Sequence, residues 1–265
     1  MASFLDLNYQ NVTLLQVFQK LKAGAEIDQT DETGKTALMY ASAFCGPEFI
    51  DFFIRNKADI NHADNEGMTP LMMAVAQNPR MDTLETLLRY GAQVATQTKN
   101  GMTPLMYSST NPNNQIAIYL LSQGADITIE DNNHQTALMW ALKPHLNPEL
   151  FEMLIRLGCD ANQPNKDGIT PLMIIASDEQ YDSLLDLVLE AEPNINATDH
   201  LGKSALHYAT KSNANAISIQ KLIMAGADIN LADKTGMTPL MYAVSSSQSQ
   251  TIIDSISSRH SCCKS

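Results

Sequence analysis

TPLM, residues 69–72, is written seven times along this chain in slightly altered spellings. It appears as TALM from Thr36, TPLM from Thr69 and Thr103, TALM from Thr136, TPLM from Thr170, SALH from Ser204 and TPLM from Thr238. Successive starts lie 33, 34, 33, 34, 34 and 34 residues apart. A second phrase keeps step with it: LKAGAEI from Leu21, IRNKADI from Ile54, LRYGAQV from Leu88, LSQGADI from Leu121, IRLGCDA from Ile155, LEAEPNI from Leu189 and IMAGADI from Ile223. Two phrases locked to one period mark a repeated supersecondary unit.

Each residue of the pattern has a physical task. Thr or Ser ahead of Pro or Ala supplies an N-cap hydroxyl, and Pro is tolerated at the first helical position. A short helix follows, for example Pro70 to Ala76, then a turn and a second helix such as Met81 to Tyr90. Gly91 stops that helix at little steric cost. The chain then runs through an extended finger, AQVATQTKNG, in which Gly101 makes the tight turn. One unit is too small to bury its own apolar face, so neighbours must stack.

The paired phrases resemble the ankyrin repeat family, whose pattern is Asp-x-x-Gly-x-Thr-Pro-Leu-His followed by Leu-Leu-x-x-Gly-Ala-Asp. The family's Asp and Gly stand here as Asp31 and Gly34, Asp64 and Gly67, Asp199 and Gly202, and Asp233 and Gly236. The resemblance covers about residues 10–258 and implies an all-α repeat solenoid: stacked helix–turn–helix ankyrin repeats with β-hairpin-like fingers. Residues 1–30 read as an N-terminal capping repeat and 31–258 as the array. Within the array, 249–258 (SQTIIDSISS) align with Ile219 onward as a polar closing helix, and 259–265 read as a flexible tail.

Several positions depart from the family. Its His survives only as His207, with Met39, Met72, Met106, Met139, Met173 and Met241 in its place. The resemblance gives that His a hydrogen-bonding role between finger and helix, so apolar filling is expected at the six methionines. Their spacing reads as a repeat position facing a neighbour and not as a metal or redox box. Lys57 and Glu192 occupy the helix-stopping Gly position, where a left-handed residue with a Cβ costs about 1 kcal/mol. His134 replaces a finger Gly and Thr98 a finger Asp.

Composition narrows the function. Seventeen Lys and Arg against 29 Asp and Glu give a net charge of −12, with no basic stripe, which argues against a nucleic-acid partner. The four cysteines show no metal spacing or disulfide framework, so a reducing, cytoplasmic setting is the default. No apolar stretch approaches the roughly 20 residues needed to cross a bilayer. The six histidines are scattered, and no HExxH, GxSxG, phosphate loop or CxxC occurs. No insertion between Thr36 and Thr238 leaves room for a catalytic module. We expect no enzyme, metal, cofactor or small-molecule substrate, and a monomer that binds a protein as adaptor or scaffold.

The resemblance places the partner on finger tips and on inner helices lining a concave face. The position after the Met or His holds Tyr40, Met73, Tyr107, Trp140, Ile174, Tyr208 and Tyr242, five aromatics in a chain that is 6% aromatic overall. Two readings stand: a ladder of binding anchors, since Tyr and Trp are favoured hot-spot residues, or packing between adjacent helices. Finger residues Met68, Met102, Ile169 and Met237 suggest an exposed apolar strip beside Tyr40, Tyr107, Trp140, Tyr208 and Tyr242. Asn230, ending LIMAGADIN, resembles the ankyrin sites of a cytosolic asparaginyl hydroxylase, against the plainer reading of a loop Asn. Cys262 and Cys263 resemble a prenylation box or the adjacent-cysteine tails of some Rab small GTPases, although Lys264 departs from the aliphatic preference. The two thiols are open equally to palmitoylation or to no modification. An abundance of Asn, Gln, Ile and Met, a Ser-rich C-terminus and such a tail are compatible with an alternative: a translocated bacterial effector that binds a host protein in the host cytosol, or at a membrane surface if the tail is lipidated.

Overall fold

The computed structural model describes residues 2–78, 80–109, 111, 114–142, 147–211 and 216–245. Helices come in pairs. The first members are α2 (Ala37–Phe44), α4 (Pro70–Gln77), α6 (Pro104–Ser108), α8 (Ala137–Trp140), α10 (Pro171–Ala176), α12 (Ala205–Lys211) and α14 (Pro239–Ser245). The second members are α3 (Pro47–Arg55), α5 (Met81–Arg89), α7 (Asn114–Ser122), α9 (Pro148–Arg156), α11 (Asp182–Glu190) and α13 (Ala216–Met224), preceded by α1 (Leu14–Lys22) in the N-terminal segment. Among the described residues no strand forms; the only sheet-like pairing is an isolated bridge between Thr30 and Thr36.

The repeated phrase starts the first helices as its chemistry dictates. Thr36, Thr69, Thr103 and Thr170 accept from the amides of Met39, Met72, Met106 and Met173 at 3.3–3.4 Å. Thr136 makes no such side-chain bond. The second phrase ends the second helices with Gly24, Gly91, Gly124, Gly158 and Gly226 at positive φ. Lys57 (φ 69) and Glu192 (φ 51) are forced into the same left-handed conformation, and His134 (φ 56) takes it at the finger turn.

The chain divides into two compact units, residues 1–132 and 133–265. In the first, α2, α4 and α6 pack side by side, as do α3, α5 and α7; in the second, α10, α12 and α14 line up in the same way, with α9 beside α11. The repeat leucines Leu38, Leu71, Leu105, Leu138, Leu172 and Leu206 are 0–1% exposed, so truncating one to Ala would cost about 2–5 kcal/mol. Met39, Met72, Met106, Met139 and Met173 are buried as the repeat reading requires. Met241 departs from it: it is 50% exposed, and among the described residues α14 is the last first helix and none follows to pack over it.

Fingers are built by one geometry. Gly67 and Gly101 donate to the carbonyls of Asp64 and Thr98, closing tight turns, and a Cβ on either glycine would meet backbone of the following finger at 2.8–3.0 Å. Fingers then join their neighbours through backbone. In the first unit Asn65 donates to Thr33, Lys99 to Glu66 and Asn132 to Asn100, at 2.8–3.0 Å. In the second, Lys166 donates to Asn133, His200 to Asp167 and Lys234 to Leu201 over the same range. Such pairing satisfies groups that a lone finger would leave to water.

Candidate protein-interaction surface

The finger aspartate organises this surface. Asp199 Oδ1 accepts from the amides of Leu201 and Lys203 at 2.8 and 2.7 Å, fixing the finger turn. Its Oδ2 accepts from the hydroxyl of Tyr208, on the adjoining first helix, at 2.7 Å. Asp31 and Asp233 repeat both halves of the arrangement, receiving Tyr40 and Tyr242 at 2.6 and 2.7 Å. Where the aspartate is Thr98, its hydroxyl accepts from Met102 N–H at 3.1 Å and its side chain hydrogen-bonds to Tyr107. Where the tyrosine is Met73, Lys35 of the preceding finger brings Nζ to 3.0 Å from Asp64 Oδ2, a close ion pair too bent for a good hydrogen bond.

These contacts set the electrostatics. Burial would raise the Asp31 carboxyl, but the hydrogen bonds from Tyr40, Thr33 and the Lys35 amide outweigh it and bring it down to about 2. The same bond to Asp31, with burial adding to it, pushes the Tyr40 phenol up to about 12. At Asp233 the Thr235 and Tyr242 hydroxyls hold the carboxyl well below its usual range. Charge-assisted bonds of this kind are about twice as strong as neutral ones.

The candidate residues fall into distinct settings. Tyr40, Tyr107, Trp140, Tyr208 and Tyr242 are half-buried. Tyr40 stacks on the buried Tyr9 ring at 5.7 Å, a neighbour that sequence reading missed because the N-terminal segment lies outside the repeat register. Tyr242 has the His207 ring edge-on at 5.9 Å and Lys203 Nζ over its face at 5.3 Å. Met68, Met102, Ile169 and Met237 are half-buried, less open than the exposed apolar strip expected of them. Met68 packs on the Met39, Ala43 and Met73 cluster, because the finger folds back over the helix start. Asn230 is exposed, its amide donating to Asp228 Oδ1 at 2.8 Å. Cys262 and Cys263 lie outside the described residues.

Among the described residues no group of three or more His, Cys, Asp or Glu is placed to hold a metal ion. Cys45 and Cys159 are free, and burial pushes both thiols up to about 11. A raised pKa leaves little reactive thiolate. No helix among the described residues is long and apolar enough to cross a membrane.

Helix pairs stacked at a 33–34-residue period, with fingers laced by backbone bonds, define a helical repeat protein. The chain belongs to the ankyrin repeat family: the model for ankyrin repeats (3 copies) matches residues 7–98, 72–162, 143–233 and 172–257. Neurogenic locus notch homolog protein 1 of Homo sapiens is 30% identical over 184 residues, covering 64% of this chain and 7% of that protein. Inversin of Mus musculus is 30% identical over 189 residues, covering 69% of this chain and 18% of that protein. The chain thus spans less than a fifth of either relative. Ankyrin repeats form a protein–protein interaction fold of non-enzymatic character.

Proposed function

We propose that the chain is an adaptor or scaffold that binds protein through its finger tips and first helices. Tyr40, Met68, Met102 and Tyr107 serve in the first unit, and Trp140, Ile169, Tyr208, Met237 and Tyr242 in the second. The observation carrying this reading is that the half-exposed tyrosines are already held by fixed finger aspartates, at 2.6–2.7 Å for Tyr40, Tyr208 and Tyr242. Ordering a rotamer-rich side chain at an interface costs about 0.5–1.5 kcal/mol, and a ring locked beforehand is spared most of it. Tyrosine and tryptophan are also the residues most often found at binding hot spots.

The test is capture from cell extract by the full-length chain, compared with Trp140→Ala, a Tyr107→Ala/Tyr208→Ala double variant, and an Ile118→Ser variant on the second-helix side. Loss of a specific partner with the first two and retention with the third supports the reading, provided helicity is unchanged. Undiminished capture by both aromatic variants contradicts it.

A further inference from the structure

The loops after the second helices carry a forward-reaching position that is asparagine at Asn61, Asn162, Asn196 and Asn230. In the first unit it is also held by Asp28, whose carboxylate accepts from the Asp59 amide at 3.0 Å, by Thr128, and by Ala95, which cannot reach forward at all. Asn61 reaches forward to the next loop: its Oδ1 accepts from the Gln93 amide at 2.9 Å and its Nδ2 donates to the Gly91 carbonyl at 3.3 Å. Asn196 makes the same pair with the Asp228 amide at 2.8 Å and the Gly226 carbonyl at 3.1 Å. Asn162 Oδ1 accepts from the Asn194 amide at 2.5 Å. One repeat after Asn61 the position is Ala95, which has no carboxamide. The matching groups of the following loop are the Asp126 N–H and the Gly124 C=O, and both residues are exposed.

The loop has also changed shape. Those at 26–29, 59–62, 160–163, 194–197 and 228–231 are closed by a bond from the fourth amide to the first carbonyl. Here the Gln93 carbonyl instead accepts from the Thr96 hydroxyl at 3.4 Å. Asp59, Asp126, Asp160 and Asp228 cap the amide two residues onward, whereas Gln93 stands at that position in this loop. A cleft of about 470 Å³ lies at the altered loop, with Leu88, Ala92, Val94 and Ala95 as apolar lining and Gln93 and Gln123 among its polar groups.

We propose that this cleft receives an asparagine or glutamine side chain of the bound partner, its carboxamide taking the place that Asn61 and Asn196 fill elsewhere. The inference deepens the protein-binding reading and rests on it. An N–H and a C=O side by side are complementary to a carboxamide, which accepts through oxygen and donates through nitrogen. A carboxylate can accept from the amide, as Asp28 does from Asp59 at 3.0 Å, but it cannot donate to the Gly124 carbonyl, so it makes only half of the pair. Apolar lining suits the aliphatic stem of the incoming residue.

Titration of the ¹⁵N-labelled full chain with N-acetyl-asparagine methylamide tests the proposal without any partner, so its failure leaves the broader binding reading standing. We expect the Ala125 and Asp126 amides to shift saturably, with a Kd on the order of 1 mM for so small a probe. The aspartate analogue, which lacks the donor, should bind more weakly, and the alanine analogue should leave those amides in place. Ala95→Asn supplies the carboxamide internally and should abolish the response; Ala95→Leu, which fills the cleft differently, answers the same question should the first variant misfold. No saturable shift, equal shifts with the alanine analogue, or an undiminished response in the folded, occluded variant would each overturn the proposal.

Discussion

Tyr208 and Asp199, nine residues apart, are joined by a 2.7 Å bond that ties a first helix to its own finger. The aspartate works at both ends: one oxygen closes the finger turn and the other anchors the ring. The same nine-residue step joins Tyr40 to Asp31 and Tyr242 to Asp233. Tyrosine at this position therefore serves the fold as well as any partner, and the two readings of the aromatic ladder are compatible: the hydroxyl is spent on the finger while part of the ring faces solvent.

Tyr208→Phe removes that bond while keeping the ring. A hydrogen bond to a charged acceptor contributes about 1.5–3 kcal/mol, and partial exposure places the loss near the lower end. Denaturant unfolding should show a lower midpoint with an unchanged slope. An unaltered midpoint would mean that the finger holds its geometry without the hydroxyl.

Acid should loosen the fingers. With the Asp31 carboxyl at about 2, below the ordinary 3.9 or so of an unfolded aspartate, its contribution is fully present above about pH 4. That contribution is lost as pH falls through the folded value. Amide exchange at Thr33 and Lys35, both bonded to this carboxylate, should lose protection between about pH 4 and 2, once corrected for the intrinsic rate. Protection that stays flat through this window would contradict the assignment.

His207 makes its own interface pH-sensitive. Ser204 N–H donates to its Nδ1 at 3.1 Å, and Nε2 lies 3.2 Å from the Met237 carbonyl, so the neutral ring carries its proton on Nε2. Burial holds the imidazole below its usual range, with Lys203 acting in the same sense and the Met237 carbonyl, Asp233 and Asp199 opposing. Stability from this group is present above the ordinary value of about 6.5 and is lost as pH falls below it. His207→Met, the choice made by the other repeats, should flatten the stability profile between about pH 7 and 5. An unchanged slope in that variant would exclude His207 as its source.

Lys57→Gly relieves a left-handed residue at φ 69. Relief of about 1–2 kcal/mol is offset by the greater freedom of glycine in the unfolded chain, about 0.4–1 kcal/mol. The net gain of about 0.5–1 kcal/mol should raise Tm by about 2 °C. A fall in Tm would show that the Lys57 side chain contributes more than its backbone costs.

Much of this was legible in the sequence, because the repeat imposes one local solution many times. The caps at Thr36, Thr69, Thr103 and Thr170, the burial of five methionines and the strained backbone at Lys57, His134 and Glu192 follow from register alone. What register cannot supply is the identity of a neighbour. Met241 occupies a core position by pattern, yet its burial depends on a following helix. Met68 looked like a finger tip but folds onto Met39 and Met73. The Tyr–Asp bond was within reach, since tyrosine follows the finger aspartate by nine residues in three repeats and Lys35 compensates where Met73 breaks the pair. Spacing alone does not say whether the hydroxyl turns to the finger or to solvent, and the fold turns it to the finger.

The most direct test of the binding surface is hydrogen exchange on the full-length chain, alone and with a captured partner. We predict slower exchange at the finger amides of residues 65–69 and 98–103 in the first unit and 165–170, 199–204 and 233–238 in the second, with the second helices unchanged. Protection confined to α3, α5, α9 and α11, with the fingers exchanging as in the free chain, would contradict the account.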